Sequence, residues 1–125
     1  MAVTKTVIQN SNSRTTIKIV GTAAADTSTI TLSSDLAFTA GNGTVQTVTS
    51  PKVNISKIFH STSGNITVVR NTTTVENLFG TYQQTDYSLA EANDQNIVVT
   101  FNTTGGTIIL ELVKVSGFGD VLPNA

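Results

Sequence analysis

The stretch of sequence that decides the fold is residues 96–115, "NIVVTFNTTGGTIILELVKV". Two runs rich in β-branched residues flank a Thr-Thr-Gly-Gly turn, a pattern that predicts a β-hairpin. In the second run one face of the strand carries Ile108, Leu110 and Leu112. The other face carries Ile109, Glu111, Val113 and Val115, and is apolar except at Glu111. A strand that is apolar on both faces is buried on both, or has one face covered by another chain or by a tail. This hairpin is therefore predicted to be the most buried part of the fold.

The rest of the chain has the composition of an all-β protein. Only 12% of its 125 residues are charged, and their place is taken by Thr, Ser and Asn. Threonine favours strands, and its hydroxyl is tolerated on a solvated sheet face. The predicted fold is a single-domain β-sandwich, jelly-roll-like or Ig-like, with about eight strands and a short helical turn at most. Residues 1–116 are assigned to the sandwich and residues 117–125 to an extended C-terminal tail.

Alternating apolar residues place the other strands. The segment "RTTIKIVGT" turns Ile17 and Ile19 to one face, and "TITLSS" turns Ile30 and Leu32 inward. A second hairpin is predicted in residues 52–71, with the loop "STSGN" at its tip and a bulge near Ser56–Lys57. The remaining predicted strands are "VTKTVIQ", "TVQTVTS" and, more weakly, "TVENLFGTYQ", and the one helical turn is "SLAEAND".

Charge is unevenly divided along the chain. Residues 1–70 carry six bases and two acids, a net charge of +4, whereas residues 71–125 carry one base and six acids, a net charge of −5. The overall charge of −1 argues against a nucleic-acid partner. Folding is expected to intermix the two halves. The alternative is that the oppositely charged halves give electrostatic complementarity between neighbouring copies in an assembly.

The sequence offers little material for catalysis or for a cofactor. It has no cysteine, which excludes disulfides and thiolate metal sites, and a single histidine, His60. Ser61 and Ser63 lie beside His60 in sequence, but a hairpin turn does not supply the geometry of a catalytic triad. The histidine is expected to be a satisfied residue of a turn or strand. We therefore predict no enzyme, no cofactor and no catalytic residue.

The residue types leave two kinds of binding site to consider. Glu91, Asn93 and Asp94 cluster oxygen ligands suited to calcium, but EF-hand spacing is absent and a solvated loop is favoured. The chain offers few aromatic side chains that could stack on sugar rings in a cleft, because it lacks tryptophan and has two tyrosines. Phe79 and Tyr82 are candidates for a binding surface, together with Tyr87, although core packing is the default expectation.

Three segments resemble a family of small virion structural proteins of tailed phages that infect marine bacteria, including cyanobacteria. The segments are "RTTIKIVGTAAADTSTITLSS", "KVNISKIFHSTSGNITVVRN" and "NTTGGTIILELVKVSGFG". The resemblance covers most of the chain, and its most specific part is the Gly-Gly-Thr-Ile-Ile-Leu-Glu-Leu stretch before a Gly-rich tail. It implies a particle component located on the virion. The preferred assignment is a capsid decoration, or cement, protein, and the alternatives are a neck, tail or head-appendage protein or a carbohydrate-binding β module.

This assignment carries expectations about partners. The partners would be the major capsid protein and further copies of the chain, most simply as a trimer seated where capsid subunits meet. Phe118, Val121 and Leu122 in the tail are the candidate partner-binding residues, flanked by flexible glycines. Ordinary C-terminal disorder is the alternative for the tail. The chain has neither a signal-peptide-like start nor an apolar run of membrane-spanning length, so synthesis in the host cytoplasm and no membrane partner are expected.

Overall fold

A computed structural model describes residues 3–84, 93–102, 104–115 and 118–119. These residues form seven strands and one short helix. The elements, in chain order, are β1 (Val3–Asn10), β2 (Arg14–Gly21), β3 (Asp26–Ile30), α1 (Leu32–Asp35), β4 (Val53–Arg70), β5 (Thr73–Gln84), β6 (Ile97–Phe101) and β7 (Gly106–Lys114).

All seven strands belong to one antiparallel sheet, which confirms the predicted all-β single-domain fold. The strand order is β1-β2-β7-β4-β6-β3, and β5 pairs with the other edge of β4. The sheet is nearly closed, as a barrel-like sandwich. The core fills the space inside it and is formed by alternate residues of β2, β4, β6 and β7. Further core residues are Ile30, Leu32, Leu36, Leu78 and Phe118. Ile17, Ile19 and Ile30 lie in this core as predicted.

The strand register shows how one sheet makes two layers. β2 pairs with β7, and β3 pairs with β6 in the continuation of the same register, with Gly105 close to Gly21 and Thr22 between the two pairings. β4 in turn pairs with β7 over residues 53–62 and with β6 over residues 66–69. Three long stretches of chain therefore lie side by side: β2 followed by β3, the long strand β4, and β6 followed by β7. Each stretch is interrupted at the same level of the sheet. We call this line of interruptions the crease.

The crease folds the sheet back sharply on itself. Lys5 pairs with Ile19, and Thr29 lies ten residues further along the β2–β3 stretch. In a straight strand those ten residues would span about 33 Å. The Lys5 ammonium nevertheless donates to the Thr29 carbonyl at 2.8 Å and pairs with Asp35 at 2.6 Å. The strand past the crease must therefore return beside β1, which brings the two ends of the sheet together.

Close backbone approach at the crease depends on glycine. A Cβ on Gly21 would lie 2.5 Å from the Phe101 ring, and one on Gly105 would lie 2.3 Å from the Gly21 carbonyl oxygen. The loop between β2 and β3 is held by the Asp26 carboxylate, which accepts from the amides of Thr22 at 2.9 Å and Ala23 at 3.1 Å. These hydrogen bonds to backbone amides, that of Thr22 foremost, lower the pKa of Asp26.

Substitution of Gly21 by alanine tests the crease. The new methyl group would overlap a fully buried phenylalanine ring, so the free energy of unfolding should fall by about 1–3 kcal/mol. Urea denaturation measures the loss. The same substitution in a Phe101→Leu background should cost clearly less, since the smaller side chain leaves room for the methyl group. Equal costs in the two backgrounds would show that the contact with Phe101 does not limit this position.

Both predicted hairpins are wrong, although their strands are present. Residues 52–71 contain one long strand, β4, and the glycine-containing segment 62–64 crosses the crease instead of reversing the chain. There the Thr62 hydroxyl donates to the Gly105 carbonyl at 3.0 Å and accepts from the Gly64 amide at 3.1 Å. β6 and β7 do not pair with each other, because they follow one another along the edge of β4. Glycine can mark a bend within a strand as well as a turn between two strands.

Of the smaller sequence predictions, some are confirmed and others are wrong. The bulge near Ser56–Lys57 is confirmed by a register shift between Ile55 and Lys57. The strand predicted in residues 44–50 is absent: within this described segment the ladder contacts are isolated bridges, which join Val45 to Thr39 and Val48 to Gly119. Leu32 is buried as predicted but begins α1. The helical turn proposed for "SLAEAND" lies mostly outside the described residues, as does Tyr87.

The start of the C-terminal tail packs against the domain. Phe118 is 3% exposed and belongs to the hydrophobic core, and its carbonyl accepts from the amides of Thr49 and Ser50. The ring of this candidate partner residue is therefore covered by its own chain. Val121 and Leu122, the other two candidates, lie outside the described residues.

Candidate functional site

Two buried cations are the first places to look for chemistry, and both hold the fold together. The Lys114 ammonium donates to Asn10 Oδ1 at 3.0 Å, Ser11 O at 2.7 Å and Gln46 Oε1 at 3.2 Å. It also lies 5.0 Å from the centre of the Phe118 ring. Burial lowers the pKa of Lys114 to about 8. With three acceptors and an aromatic face around it, this ammonium ties β1, β7 and the 36–50 segment together rather than facing a substrate.

Arg70, the last residue of β4, also holds the fold together. Its guanidinium is fully buried and donates to the carbonyls of Val53, Asn93 and Gln95 at distances of 2.8–3.1 Å. The same Asn93 carbonyl accepts from the Val53 amide at 2.9 Å. Burial lowers the pKa of Arg70 to about 10, with the charge of Asp94 acting in the opposite direction. Arg70 therefore fixes residues 93–95 against the start of β4.

The exposed charges of the two halves of the sequence meet within the chain. Glu111 of β7 pairs with Arg14 of β2 at 2.8 Å and lies 3.8 Å from Lys57 of β4. The Ser56 hydroxyl donates to the same carboxylate at 2.8 Å. The intermixing that was expected from folding therefore occurs at this cluster, on the outer face of the sheet.

The candidate calcium ligands do not form a described site. Glu91 lies outside the described residues, while the Asn93 amide donates to Asn54 Oδ1 at 3.2 Å. Among the residues that the structure describes, no group of three or more His, Cys, Asp or Glu side chains is placed to hold a metal ion. Within the same residues, no helix is long and apolar enough to span a membrane.

The feature with the character of a binding site is a groove on β5. It has a volume of about 290 Å³, near the lower end of the range for ligand pockets, and is called here the β5 groove. Its lining residues are His60, Glu76, Asn77, Leu78, Phe79 and Tyr82. In the described part of the chain β5 pairs with β4 alone, so the groove lies at an edge of the sheet.

Gly80 lies between the two aromatic side chains that line the groove, Phe79 and Tyr82. Residues three apart on a regular strand, such as Phe79 and Tyr82, point to opposite faces. At Gly80 the strand takes a φ of +71°, a conformation that favours glycine, and the register with β4 shifts where β5 crosses the crease. Both rings consequently line one groove. Phe79 is 65% exposed and Tyr82 is 60% exposed, so neither belongs to the core.

His60 lines the groove as a buried polar group. The residue is 3% exposed, and its Nδ1 lies 3.0 Å from the Gly80 carbonyl oxygen. A carbonyl only accepts, so Nδ1 carries the proton and Nε2 of the neutral ring is an acceptor. That Nε2 has no hydrogen-bond partner among the described residues. The Tyr82 ring, its cross-strand neighbour, lies 6.5 Å away between centroids.

Within the described residues, His60 does not form the serine contact that a catalytic triad needs. The Ser61 hydroxyl contacts the Thr81 hydroxyl at 3.0 Å, and in the described part of the chain no hydrogen bond joins the imidazole to a serine. Sequence named His60, Phe79 and Tyr82 separately. Their convergence depends on the crease and on the Gly80 conformation, so sequence periodicity carried no signal for it. Comparison of the chain with protein-family models, curated proteins and solved structures finds no match.

Proposed function

We propose that this chain is a non-enzymatic structural protein of a phage virion, a decoration protein that binds the outer surface of the major capsid shell and stabilises it. The proposal takes its phage assignment from the sequence resemblance described above. The observation that carries an assembly role is strand β1. Its residues from Val3 to Gln9 are all exposed, and none of β1 belongs to the hydrophobic core.

The side chains of β1 suit contact with a partner. Val3, Val7 and Ile8 are 36%, 40% and 53% exposed, and Ile8 lies at a bulge in the pairing with β2. Single exposed apolar residues are ordinary, but these three lie on one strand outside the core, and together they are called here the apolar strip. Edge strands with such residues are templates for pairing with another chain unless charges or proline protect them. The charge of Lys5 on β1 is already engaged by Asp35 and by the Thr29 carbonyl of its own chain. We propose that this strip contacts the capsid shell or a neighbouring copy, in a homo-oligomer that is most simply a trimer.

Replacing Ile8 by lysine tests this role. A lysine on an edge strand opposes strand pairing, so occupancy of the protein on reconstituted capsids should fall, while the free energy of unfolding stays within about 0.5 kcal/mol. The matched control is Thr73→Lys, which adds the same charge at an exposed position of β5. Quantitative mass spectrometry of washed particles measures occupancy. Equal occupancy of both variants and the natural chain would remove β1 from the contact.

Particle composition tests the virion assignment itself. A decoration protein should be present in purified virions at a level comparable with that of the major capsid protein, whereas a neck or tail protein should be present in far fewer copies. Light scattering of the isolated protein should show an oligomer. A strict monomer that is missing from purified virions would contradict the proposal.

A second function is favoured by the β5 groove. The exposed rings of Phe79 and Tyr82 beside polar side chains are features of a surface that binds carbohydrate. In this alternative the chain is a head or tail appendage, or a carbohydrate-binding β module, that touches the host surface. Binding of the natural chain to a glycan array, with and without calcium, tests it.

A further inference from the structure

We propose that the β5 groove is a saccharide-binding site, in which Phe79 and Tyr82 stack on the ligand and His60 accepts a hydrogen bond from one of its hydroxyl groups. This inference rests on the second of the two functions proposed above and assigns it to named residues. It concerns a surface separate from the apolar strip of β1, because β1 and β5 lie on different edges of the sheet.

The aromatic side chains supply the first argument. Phe79 and Tyr82 expose more than half of their surface, although large rings are normally used to fill a core. Both line the groove, and between them Gly80 takes a left-handed conformation at the register shift with β4. Open space surrounds the position that a Gly80 Cβ would occupy, so packing does not require glycine there. The backbone conformation favours glycine there, and the exposed rings on either side of it both line the groove.

The polar groups supply the second argument. His60 Nε2 is a buried acceptor without a partner among the described residues, and such a group costs free energy unless a ligand or water satisfies it. Glu76 adds carboxylate acceptors. Asn77 accepts from Asn65 Nδ2 at 2.9 Å through its Oδ1, which leaves its amide hydrogens as donors.

Together these groups indicate the class of ligand. The groove offers apolar ring surface, acceptors on His60 and Glu76, and donors on Asn77 and the Tyr82 hydroxyl. A sugar ring matches all three, because it presents an apolar C–H face and hydroxyl groups that both donate and accept. A cationic ligand would match the rings and Glu76 but would leave the donors unused. The volume of about 290 Å³ suits a small ligand or the terminal unit of a longer saccharide.

The experiment has two stages. An array of neutral and acidic oligosaccharides is first probed with the full chain, and the best-bound saccharide is then titrated into labelled protein by NMR. Substitution Tyr82→Ala or Phe79→Ala should weaken binding about tenfold, the effect of losing one favourable aromatic contact. Ile8→Ala is the matched control, an exposed apolar side chain on β1, and its affinity should equal that of the natural chain.

The His60→Asn variant separates recognition from folding. An asparagine amide can replace the Nδ1–H that donates to Gly80 O, but it provides nothing at the position of Nε2. Thermal unfolding should therefore change little, while affinity should fall about threefold to tenfold. If this variant binds the saccharide as well as the natural chain does, the acceptor role of His60 is wrong.

The possible outcomes distinguish the site from the function. If the natural chain binds a saccharide and all three groove variants bind it equally well, the function stands and the β5 groove is the wrong site. If no saccharide on the array binds, the carbohydrate function falls together with this inference. Binding of arginine methyl ester in the groove, with no saccharide bound, would replace the proposed ligand by a cationic one and overturn the proposal.

Discussion

Replacing Arg70 by methionine is expected to lower the free energy of unfolding by about 2–4 kcal/mol. Methionine fills the same space with an apolar chain but donates no hydrogen bond, so the carbonyls of Val53, Asn93 and Gln95 lose the hydrogen bonds from Arg70. The Val53 carbonyl is buried, and an unsatisfied buried acceptor costs about 1–3 kcal/mol. Release of the buried charge returns part of its desolvation cost, which keeps the loss below the sum of the hydrogen bonds.

Urea denaturation gives this loss, and hydrogen exchange locates it. The Val53 amide donates to the same Asn93 carbonyl that Arg70 holds, so its exchange should accelerate more than that of the amides in β7. Arg70→Lys is the control: it keeps the charge but replaces the planar fork by a single point of donation. It should therefore fail to restore full stability. A methionine variant as stable as the natural chain would mean that the desolvation cost cancels the hydrogen bonds.

Replacing Leu110 by alanine should cost about 2–5 kcal/mol, as large-to-small changes in a core do. Leu110 is fully buried in β7, and its cross-strand neighbours are Ile17 of β2 and Ile58 of β4, both also fully buried. The cavity would thus be enclosed by two strands that are themselves fixed by further neighbours. Little collapse into the space is possible, and this favours the upper part of the range.

The neighbouring residue provides the control for Leu110. Ile109 is on the opposite face of the same strand and is half-buried, so Ile109→Ala should cost clearly less. Both variants are compared by urea denaturation with a common slope. A loss below about 0.5 kcal/mol for Leu110→Ala, the range of ordinary surface substitutions, would contradict its place in the core.

Sequence by itself determined which residues face inward. The alternation in "RTTIKIVGT" and "TIILELVKV" correctly assigned Ile17, Ile19 and Leu110 to the core. The period of two along a strand is a local property, and it predicts burial without knowledge of the neighbouring strands. The second apolar face expected on β7 is only half-buried, because alternation shows that a face is apolar but not how completely it is covered.

Only the tertiary structure decided which strands pair and where the chain bends instead of reversing. Gly64 and Gly105 both lie where sequence predicted a hairpin turn, yet both lie at the crease. A glycine permits a turn, a bulge or a close approach, and the choice among them is made by chain segments far away in sequence. The same long-range packing unites His60, Phe79 and Tyr82 in one groove and encloses the charges of Arg70 and Lys114. Sequence periodicity holds no information about such contacts, because they arise only when the folded sheet brings its distant segments together.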